Sequence, residues 1–185
     1  MVPPDALYLQ NYVDAATHDT LLNLIDQGEW RSDLKRRVQH HGFRYDYRAR
    51  RVPKESYLGP LPDWLDRIAQ RLWKDALFDR PPDQVIINEY LPGQGIAPHV
   101  DCEPCFGHTI ASLSLGAPCS MQFSHLHSET SCSQRLAARS LLVLGGQARF
   151  DWTHGIAARK SDHINGKKIA RERQVSLTFR TVLAT

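Results

Sequence analysis

The sequence predicts an α+β domain that is mainly β, in which two helices precede a sandwich or barrel of short strands. Apolar residues recur at helical spacing in two segments before residue 80, and from residue 84 onward they alternate with polar residues. Clusters of Gly and Pro at 92–95, 116–118 and 145–146 separate the alternating runs, as turns do in all-β folds. With 185 residues and no visible repeat or linker, the chain is expected to form a single domain.

Two helices are predicted in the N-terminal half. The first covers 15–27, because Asp14 can cap its N-terminus and Gly28 follows its last apolar turn. The second covers 63–78, where apolar residues return every three or four positions, and it is expected to end before Pro81-Pro82. Both helices therefore have one apolar side that needs a partner surface.

The segment between the helices is strongly basic. Residues 31–51 hold eight basic and two acidic side chains, a formal charge of +6 in a chain whose net charge is +3. Phe43, Tyr45 and Tyr47 are interleaved with these charges. Such cations can neutralise phosphates while aromatic rings stack on bases. A hairpin, or two strands with loops, is predicted here, and a merely solvated basic hairpin is the alternative.

The C-terminal half is predicted to contain short strands at 85–90, 109–115, 119–123, 140–144, 149–152 and 174–182. The polar run 124–134 between two of them is predicted to be a mobile loop.

No targeting or membrane segment is visible in the sequence. The chain has no run of about 18 apolar residues, which a membrane-spanning helix needs. Its N-terminus also lacks the basic and apolar regions of a secretory signal. We therefore expect a cytoplasmic protein that does not enter a membrane.

The four cysteines are Cys102, Cys105, Cys119 and Cys132. In a cytoplasmic chain of this length they are expected to be free thiols. The alternative is a zinc site, since Cys102-Glu-Pro-Cys105 has the spacing of half such a site. Cys132, His125 and His127 would complete it.

A candidate metal site ends the segment Asn88-Glu-Tyr-Leu-Pro-Gly-Gln-Gly-Ile-Ala-Pro-His-Val-Asp101. On an extended chain His99 and Asp101 point to the same side, so both can reach one ion. His154, in Trp152-Thr-His-Gly-Ile156, must come from another strand. Two imidazoles and one carboxylate make the facial triad of non-haem Fe(II), which leaves three positions open for a cosubstrate and O2.

These blocks, in this order, resemble the AlkB family of Fe(II)- and 2-oxoglutarate-dependent dioxygenases. The resemblance also includes Ser112-Leu-Ser-Leu-Gly116, Arg139-Ser-Leu-Leu-Val-Leu144 and Ser176-x-Thr-Phe-Arg180, and it covers about 84–182. Leu34-Lys-Arg-Arg-Val38 with Gly42-Phe-x-Tyr45 adds a weaker similarity to the AlkB-like domain of the tRNA hydroxylases.

The resemblance implies a double-stranded β-helix (jelly roll) over 84–185, preceded over 1–83 by helices and a basic lid hairpin. Iron would be held by His99, Asp101 and His154, and 2-oxoglutarate by Asn88, Tyr90 and Arg180, with Ser176, Thr178 and Gln174 on the same strand face. Oxidation of 2-oxoglutarate by O2 would be coupled to hydroxylation of a substrate C–H bond, and an N-methyl group treated in this way is lost as formaldehyde.

The lid in this family grips flipped or single-stranded nucleotides, so the resemblance implies an RNA (tRNA) or DNA substrate. The implied substrate contacts are Arg36, Arg37, Tyr45, Tyr47, Arg50, Arg159 and Asp162. Such a lid needs no second subunit, so we expect a monomer.

Gln174 departs from the family pattern. Six residues before the final Arg, here Arg180, the family has an Arg that pairs with the far carboxylate of 2-oxoglutarate. Arg173 is adjacent, but neighbouring strand residues point to opposite faces unless a β-bulge intervenes. We expect Arg171 or Arg173 to compensate, because the iron ligands are intact. The alternatives are a different oxoacid or a weakened enzyme.

Three classes of function follow from the sequence. The first is a dioxygenase that hydroxylates or demethylates a nucleobase, in tRNA modification or in DNA repair. The second applies the same chemistry to a protein or lipid. The third, suggested by Gln174, is a non-enzymatic metal-bound homologue.

Overall fold

The computed structural model describes residues 1–32, 34–164 and 166–183. The helices are α1 (Ala15–Gln27), α2 (Asp63–Lys74) and α3 (Gly146–Phe150). The strands are β1 (Ala6–Leu9), β2 (Val38–His41), β3 (Gln84–Tyr90), β4 (Ile96–His99), β5 (Phe106–Gly116), β6 (Cys119–His125), β7 (Ser131–Leu136), β8 (Leu141–Leu144), β9 (Trp152–Ile156), β10 (Ser161–Ile164), β11 (Lys167–Ala170) and β12 (Gln174–Val182).

Two antiparallel sheets form the body of the fold. A six-stranded sheet has the order β1-β8-β5-β12-β3-β2, and a four-stranded sheet has the order β4-β9-β6-β7. One face of the larger sheet packs on α1 and α2, and its other face packs on the smaller sheet. This is the predicted jelly roll with N-terminal helices, an arrangement in which each amphipathic layer buries its apolar side.

β12 shows why the interior of the jelly roll is polar on one wall. Val175, Leu177 and Phe179 are fully buried against the helices. The alternate residues of β12 face the smaller sheet, and its ladders to β3 and β5 run from Gln174 to Arg180 without a shift. Because a strand alternates its side chains strictly, this register directs the polar face of β12 inward.

The helix predictions are correct for α1 and too long for α2. Asp14 caps α1, its carboxylate accepting a hydrogen bond from the Thr17 amide at 2.7 Å. α2 ends at Lys74, because Ala76 takes a left-handed φ of 58° and the Leu77 amide donates to the Leu72 carbonyl. This C-terminal capping motif ends the helix well before the prolines.

Two predictions in the C-terminal half are wrong. The run 124–134 is not a loop, since β6 continues to His125 and β7 pairs with it as a hairpin. Its polar composition reflects exposure of most of β7. Residues 149–152 are not a strand, because the chain first turns through α3 and only then enters β9 at Trp152.

The basic segment forms less regular structure than the predicted lid hairpin. Among its described residues only Val38–His41 form a strand, which pairs with β3 at the edge of the larger sheet. The chain then makes a tight turn closed by a bridge between Asp46 and Arg51. The Asp46 carboxylate accepts from the amides of Arg48 and Ala49 at 2.9 Å each. We call residues 34–52 the lid segment.

The cysteines do not form the zinc site. Cys102 and Cys105 are joined by a disulfide, so the expectation of free thiols holds only for Cys119 and Cys132. Within the part of the chain that the structure describes, one cluster of three potential metal ligands occurs, and it contains no cysteine. The helices in these residues are too short or too polar to cross a lipid bilayer.

Candidate metal centre and its two cavities

The predicted metal ligands converge at the junction of two neighbouring strands. His99 on β4 lies directly opposite His154 on β9, and Asp101 follows β4 by two residues. The candidate donor atoms of the three side chains lie within 4.8 Å of one another. Asp101 Oδ1 is 3.3 Å from His99 Nε2 and 3.8 Å from His154 Nε2.

Two glycines of the sequence motifs allow this close approach. A Cβ atom at Gly95 would lie 2.1 Å from the Ile156 carbonyl oxygen, and one at Gly155 would lie 2.9 Å from the Pro98 nitrogen. Side chains at these positions would push β4 and β9 apart. The glycines therefore bring His99 and His154 together.

Two of the three ligands, His99 and Asp101, are oriented by further contacts. The Nδ1 atom of His99 lies 2.9 Å from the Ala97 carbonyl oxygen, so this nitrogen carries the proton and Nε2 presents its lone pair. The other carboxylate oxygen of Asp101 accepts a hydrogen bond from Arg180 Nε at 2.8 Å. The metal-facing atoms Nε2 and Oδ1 are thus left for an ion.

The charges of the site favour cation binding. Burial lowers the pKa of His154 to about 4, so its ring is neutral at physiological pH. Burial alone would raise the pKa of Asp101, but Arg180 and the two imidazoles overcome this effect and hold that pKa well below its usual range. Neutral imidazoles and an ionised carboxylate are the protonation states that a metal ion requires.

Arg149 supports the site and has no sequence signal that would predict this role. It is 2% exposed, and its guanidinium donates to the carbonyl oxygens of Asp101, Cys102 and Gly107 at 2.9, 3.3 and 3.4 Å. One of these carbonyls belongs to Asp101, the second ligand, and the other two belong to residues that follow it in the chain. Arg149 therefore holds the backbone that carries Asp101.

The donor set fits Fe(II). Two imidazole nitrogens and one carboxylate oxygen leave three of six coordination positions free, whereas structural zinc sites are closed by four protein ligands. His99, Asp101 and His154 are the residues that could hold the ion.

A narrow inner cavity of about 50 Å³ lies between the two sheets beside this triad. All six predicted cosubstrate residues line it: Asn88, Tyr90, Gln174, Ser176, Thr178 and Arg180. Its apolar wall was not predicted, because strands far apart in the sequence contribute it. This wall includes Ile110, Met121, Leu142, Leu144 and Ile156.

Arg180, the predicted contact of the cosubstrate, also bonds to two protein side chains. Its guanidinium bonds to Asp101 and, through Nη1, to Gln84 Oε1 at 3.3 Å. Gln84 is fully buried and donates in turn to the Phe43 carbonyl. Arg180 still lines the inner cavity. Gln84 is a site residue that the sequence analysis missed, because it precedes the motif by four positions.

The expected compensation for Gln174 is wrong. The unshifted ladder puts Arg173 on the opposite face, where it pairs with Glu89 at 2.7 Å and with Asp26. Arg171 pairs with Asp162 at 2.8 Å and donates to the Ala157 carbonyl. Neither arginine lines the inner cavity.

A larger outer cleft of about 580 Å³ lies on the other side of the triad. Four predicted substrate residues line it: Arg36, Tyr45, Tyr47 and Arg50. The inner cavity and the outer cleft meet at Asn88, Ile96, His99 and Arg180, which line both. The candidate metal centre thus sits between two compartments.

The other three predicted substrate residues do not line the cleft. Arg37 forms a two-bond pair with Glu89 and packs on the Trp30 ring at 4.7 Å. Arg159 and Asp162 pair with each other at 2.9 Å, and Asp162 is buried. The basic segment made Arg37 a candidate, and the resemblance to the tRNA hydroxylases made Arg159 and Asp162 candidates. Their partners hold these side chains in structural contacts.

Tyr47 carries an unusual polar group. Its hydroxyl is buried and lacks a hydrogen-bond partner among the described residues, and burial raises its pKa. Its ring meets Tyr45 edge-on at 5.1 Å, and Tyr45 packs near Phe106. The cleft therefore has an aromatic wall with a free hydroxyl, which is suited to a flat polar ligand.

Comparison with known proteins gives consistent results. The family model described as "2OG-Fe(II) oxygenase superfamily" matches residues 25–180. The chain is 35% identical to uncharacterized protein L905 of Acanthamoeba polyphaga mimivirus over 95% of its own length and 83% of that protein.

Two further relatives are longer than this chain. An Arabidopsis thaliana protein named "Alkylated DNA repair protein ALKBH8 homolog" is 35% identical, with 97% of this chain and 58% of that protein aligned. A Xenopus tropicalis tRNA (carboxymethyluridine(34)-5-O)-methyltransferase, alkbh8, is 38% identical over 88% of this chain, which spans 27% of it. The solved structure of OsALKBH1 matches the fold with a TM-score of 0.74 at 17% identity, over 98% of each chain.

Proposed function

Because the chain belongs to the AlkB family of the 2OG-Fe(II) oxygenase superfamily, we propose that it oxidises a nucleobase in RNA, and that the base lies in a tRNA. The protein is an Fe(II)- and 2-oxoglutarate-dependent dioxygenase that uses O2. The observation that carries the nucleobase proposal is the outer cleft, whose aromatic and cationic wall faces the metal ligands.

When bound, iron with 2-oxoglutarate and O2 supplies an oxidant strong enough to hydroxylate a C–H bond. His99, Asp101 and His154 would hold the metal, and Arg180 donates a hydrogen bond to the second oxygen of Asp101 and so orients that ligand. The apolar wall of the inner cavity, with Leu142 and Leu144, excludes water from the cosubstrate side. The substrate must therefore approach from the outer cleft.

The shape and chemistry of the outer cleft suit a base turned out of its stack. Tyr45 and Tyr47 offer ring surfaces, and the unpaired Tyr47 hydroxyl offers one hydrogen bond to the edge of a base. Stacking on an aromatic ring contributes about 1–3 kcal/mol per base. His99 and Asp101 line the same cleft, so a base held there lies beside the metal centre.

Cations around the cleft suit the phosphates of the same strand. Arg36 and Arg50 line it, and the Gln94 side chain ties Lys35 to the loop before His99. The preceding residue of that loop, Gly93, donates its amide to the carbonyl oxygen of Arg159, which lies shortly before the β10–β11 hairpin. Exposed lysines continue the basic surface along this hairpin, and none has an ion-pair partner among the described residues: Lys160, Lys167 and Lys168.

The names of the relatives favour a nucleic acid over a protein or lipid substrate. The Xenopus relative is named for a tRNA uridine modification, and the Arabidopsis relative for alkylated DNA repair. Both names refer to nucleic acids. No contact in the described residues favours a protein or lipid substrate.

The test compares two double variants that each remove two positive charges. Arg36→Ala with Arg50→Ala alters the cleft, whereas Arg67→Ala with Lys74→Ala alters exposed positions on α2. We expect the cleft variant alone to bind tRNA more weakly. The steepness of log K against log salt should fall by about 1.5, because each of two lost phosphate contacts contributes about 0.7–0.9. Equal losses in both variants, or no base product by nucleoside mass spectrometry with any RNA, would contradict the proposal.

A further inference from the structure

The far wall of the inner cavity lacks an uncompensated positive charge. Arg180 is the one cationic residue among those that line the cavity, and it is paired with Asp101. Arg171 and Arg173, the nearest arginines in sequence to Gln174, are held by Asp162, Glu89 and Asp26. Among the residues that line the cavity, a carboxylate at that wall would therefore find only neutral partners. Arg36 lines the outer cleft instead and donates a hydrogen bond to Asn88 Oδ1 at 2.9 Å.

On this side of the sheet, two neutral polar groups lack hydrogen-bond partners among the described residues. Gln174 lines the cavity and is 1% exposed, yet its Oε1 atom has no hydrogen-bond partner and its Nε2 atom donates only to its neighbour, the Val175 carbonyl, at 3.3 Å. The Ser114 hydroxyl is also buried and unpartnered. Ser114 pairs with Ser176 in the ladder, so it shares the cavity-facing side of the sheet with Gln174.

Buried polar atoms are nearly always hydrogen-bonded, so the unpaired Gln174 oxygen on the cavity wall points to a missing ligand. The unpaired Ser114 hydroxyl lies on the same side of the sheet. A glutamine amide can rotate to present either its N–H groups or its carbonyl oxygen, whereas an arginine presents donors alone. Gln174 can therefore meet a carboxylate with its N–H groups, or a carboxamide with both ends of its amide.

We propose that Gln174, assisted by Ser114, recognises the distal end of the cosubstrate through neutral hydrogen bonds, so that this pocket does not select a carboxylate over a carboxamide. The inference rests on the oxygenase activity within the proposed function and is independent of the nucleic acid. It makes Gln174 the residue that determines which 2-oxoacids this enzyme accepts.

The experiment measures binding, so it does not depend on turnover. Protein loaded with Mn(II) under argon is titrated calorimetrically with 2-oxoglutarate, with its 5-carboxamide, and with 2-oxovalerate, which has no polar end. We expect the wild type to bind the acid and the amide within about threefold of each other, and 2-oxovalerate at least about fivefold more weakly.

Variants of Gln174 supply the controls. Gln174→Arg is expected to favour the acid over the amide by about thirtyfold, because a charged pair replaces a neutral one. Gln174→Leu is expected to bind the three compounds alike. Circular dichroism checks that each variant folds, and the comparison of ligands on the wild type stands without the variants.

A wild-type preference for the acid of about thirtyfold or more would overturn the inference, because a cation must then reach the far wall. Unchanged ligand preferences in a folded Gln174→Leu protein would overturn it as well. If the loaded protein bound none of the three compounds, the oxygenase function itself would fail, which is a separate outcome.

Discussion

The inner cavity and the outer cleft share His99, Asn88 and Arg180 but are built in different ways. The inner cavity is walled by side chains of paired strands, whose positions follow from the ladder register. The outer cleft is walled mainly by the lid segment and by the chain around Pro98, which lie outside regular ladders or at their ends. A regular sheet thus supports the oxidation chemistry, and irregular chain supports the choice of substrate.

This difference separates two kinds of defect. Changes on the triad or the inner cavity should affect metal or cosubstrate whichever substrate is present. Changes in the outer cleft should affect the substrate while conversion of 2-oxoglutarate in its absence continues. Variants in each compartment test whether the two act separately.

His99→Ala is expected to abolish turnover and to lower the bound metal to background, since only two protein ligands remain. Its affinity for RNA should stay near that of the wild type, because the aromatic wall and the arginines of the cleft are intact. Metal content by mass spectrometry, succinate formation and RNA binding check the three expectations. His108→Ala, at an exposed position, is the matched control. Full metal occupancy in His99→Ala would refute the ligand assignment.

Tyr47→Phe tests the outer cleft alone. It keeps the ring and removes the buried, unpartnered hydroxyl. We expect kcat/KM for the RNA substrate to fall about tenfold, the effect of one lost hydrogen bond of about 1.4 kcal/mol. The KM for 2-oxoglutarate should not change. An equal loss of RNA-independent succinate formation would show that the two compartments are not separable at this residue.

Glu89→Gln tests the opposite face of β3, which touches neither compartment. Glu89 is buried between Arg37 and Arg173, and hydrogen bonds from Arg37 and then Arg173 outweigh burial to hold its pKa below the ordinary 4.5. A depressed carboxylate pKa adds stability above its unfolded value, and this stability is lost as pH falls through the folded value.

The expected loss of stability in Glu89→Gln at pH 7 is about 1 kcal/mol, because water partly screens both arginines. The difference from the wild type should narrow as the pH falls below 4.5, the ordinary value for this group. Urea unfolding at several pH values measures it, with Glu103→Gln at an exposed position as the control. If the difference in unfolding free energy grew as the pH fell, the ionised Glu89 would not stabilise the fold.

Local sequence patterns predicted much of the inner site. The alternation in 174–182 and the two-residue spacing of His99 and Asp101 are properties of a single strand, and the structure keeps both. The cap at Asp14 is likewise local, and the start of α1 was predicted correctly. Where a feature depends on neighbours in sequence, its residues could be identified without a structure.

Features that depend on distant partners could not be predicted in this way. Arg149 bonds to carbonyls more than 40 residues away, and Gln84 meets Arg180 across β3 and β12. The sequence suggests that Arg37 is a free cation, but in the fold it pairs with Glu89 and packs on Trp30. Charge in the sequence identifies a basic segment, but only the fold shows which of its cations are already paired.

The position of β2 affects how the lid segment moves. β2 is the edge strand of its sheet and is hydrogen-bonded to β3 alone, apart from a single bridge between Arg31 and Val38. Edge strands with one partner open at lower free energy than central strands such as β12. Backbone amides of Val38–His41 should therefore exchange with deuterium before those of Gln174–Val182, and bound RNA should slow the first group more. The lid can then open as a local unit while the strands that carry the metal ligands remain folded.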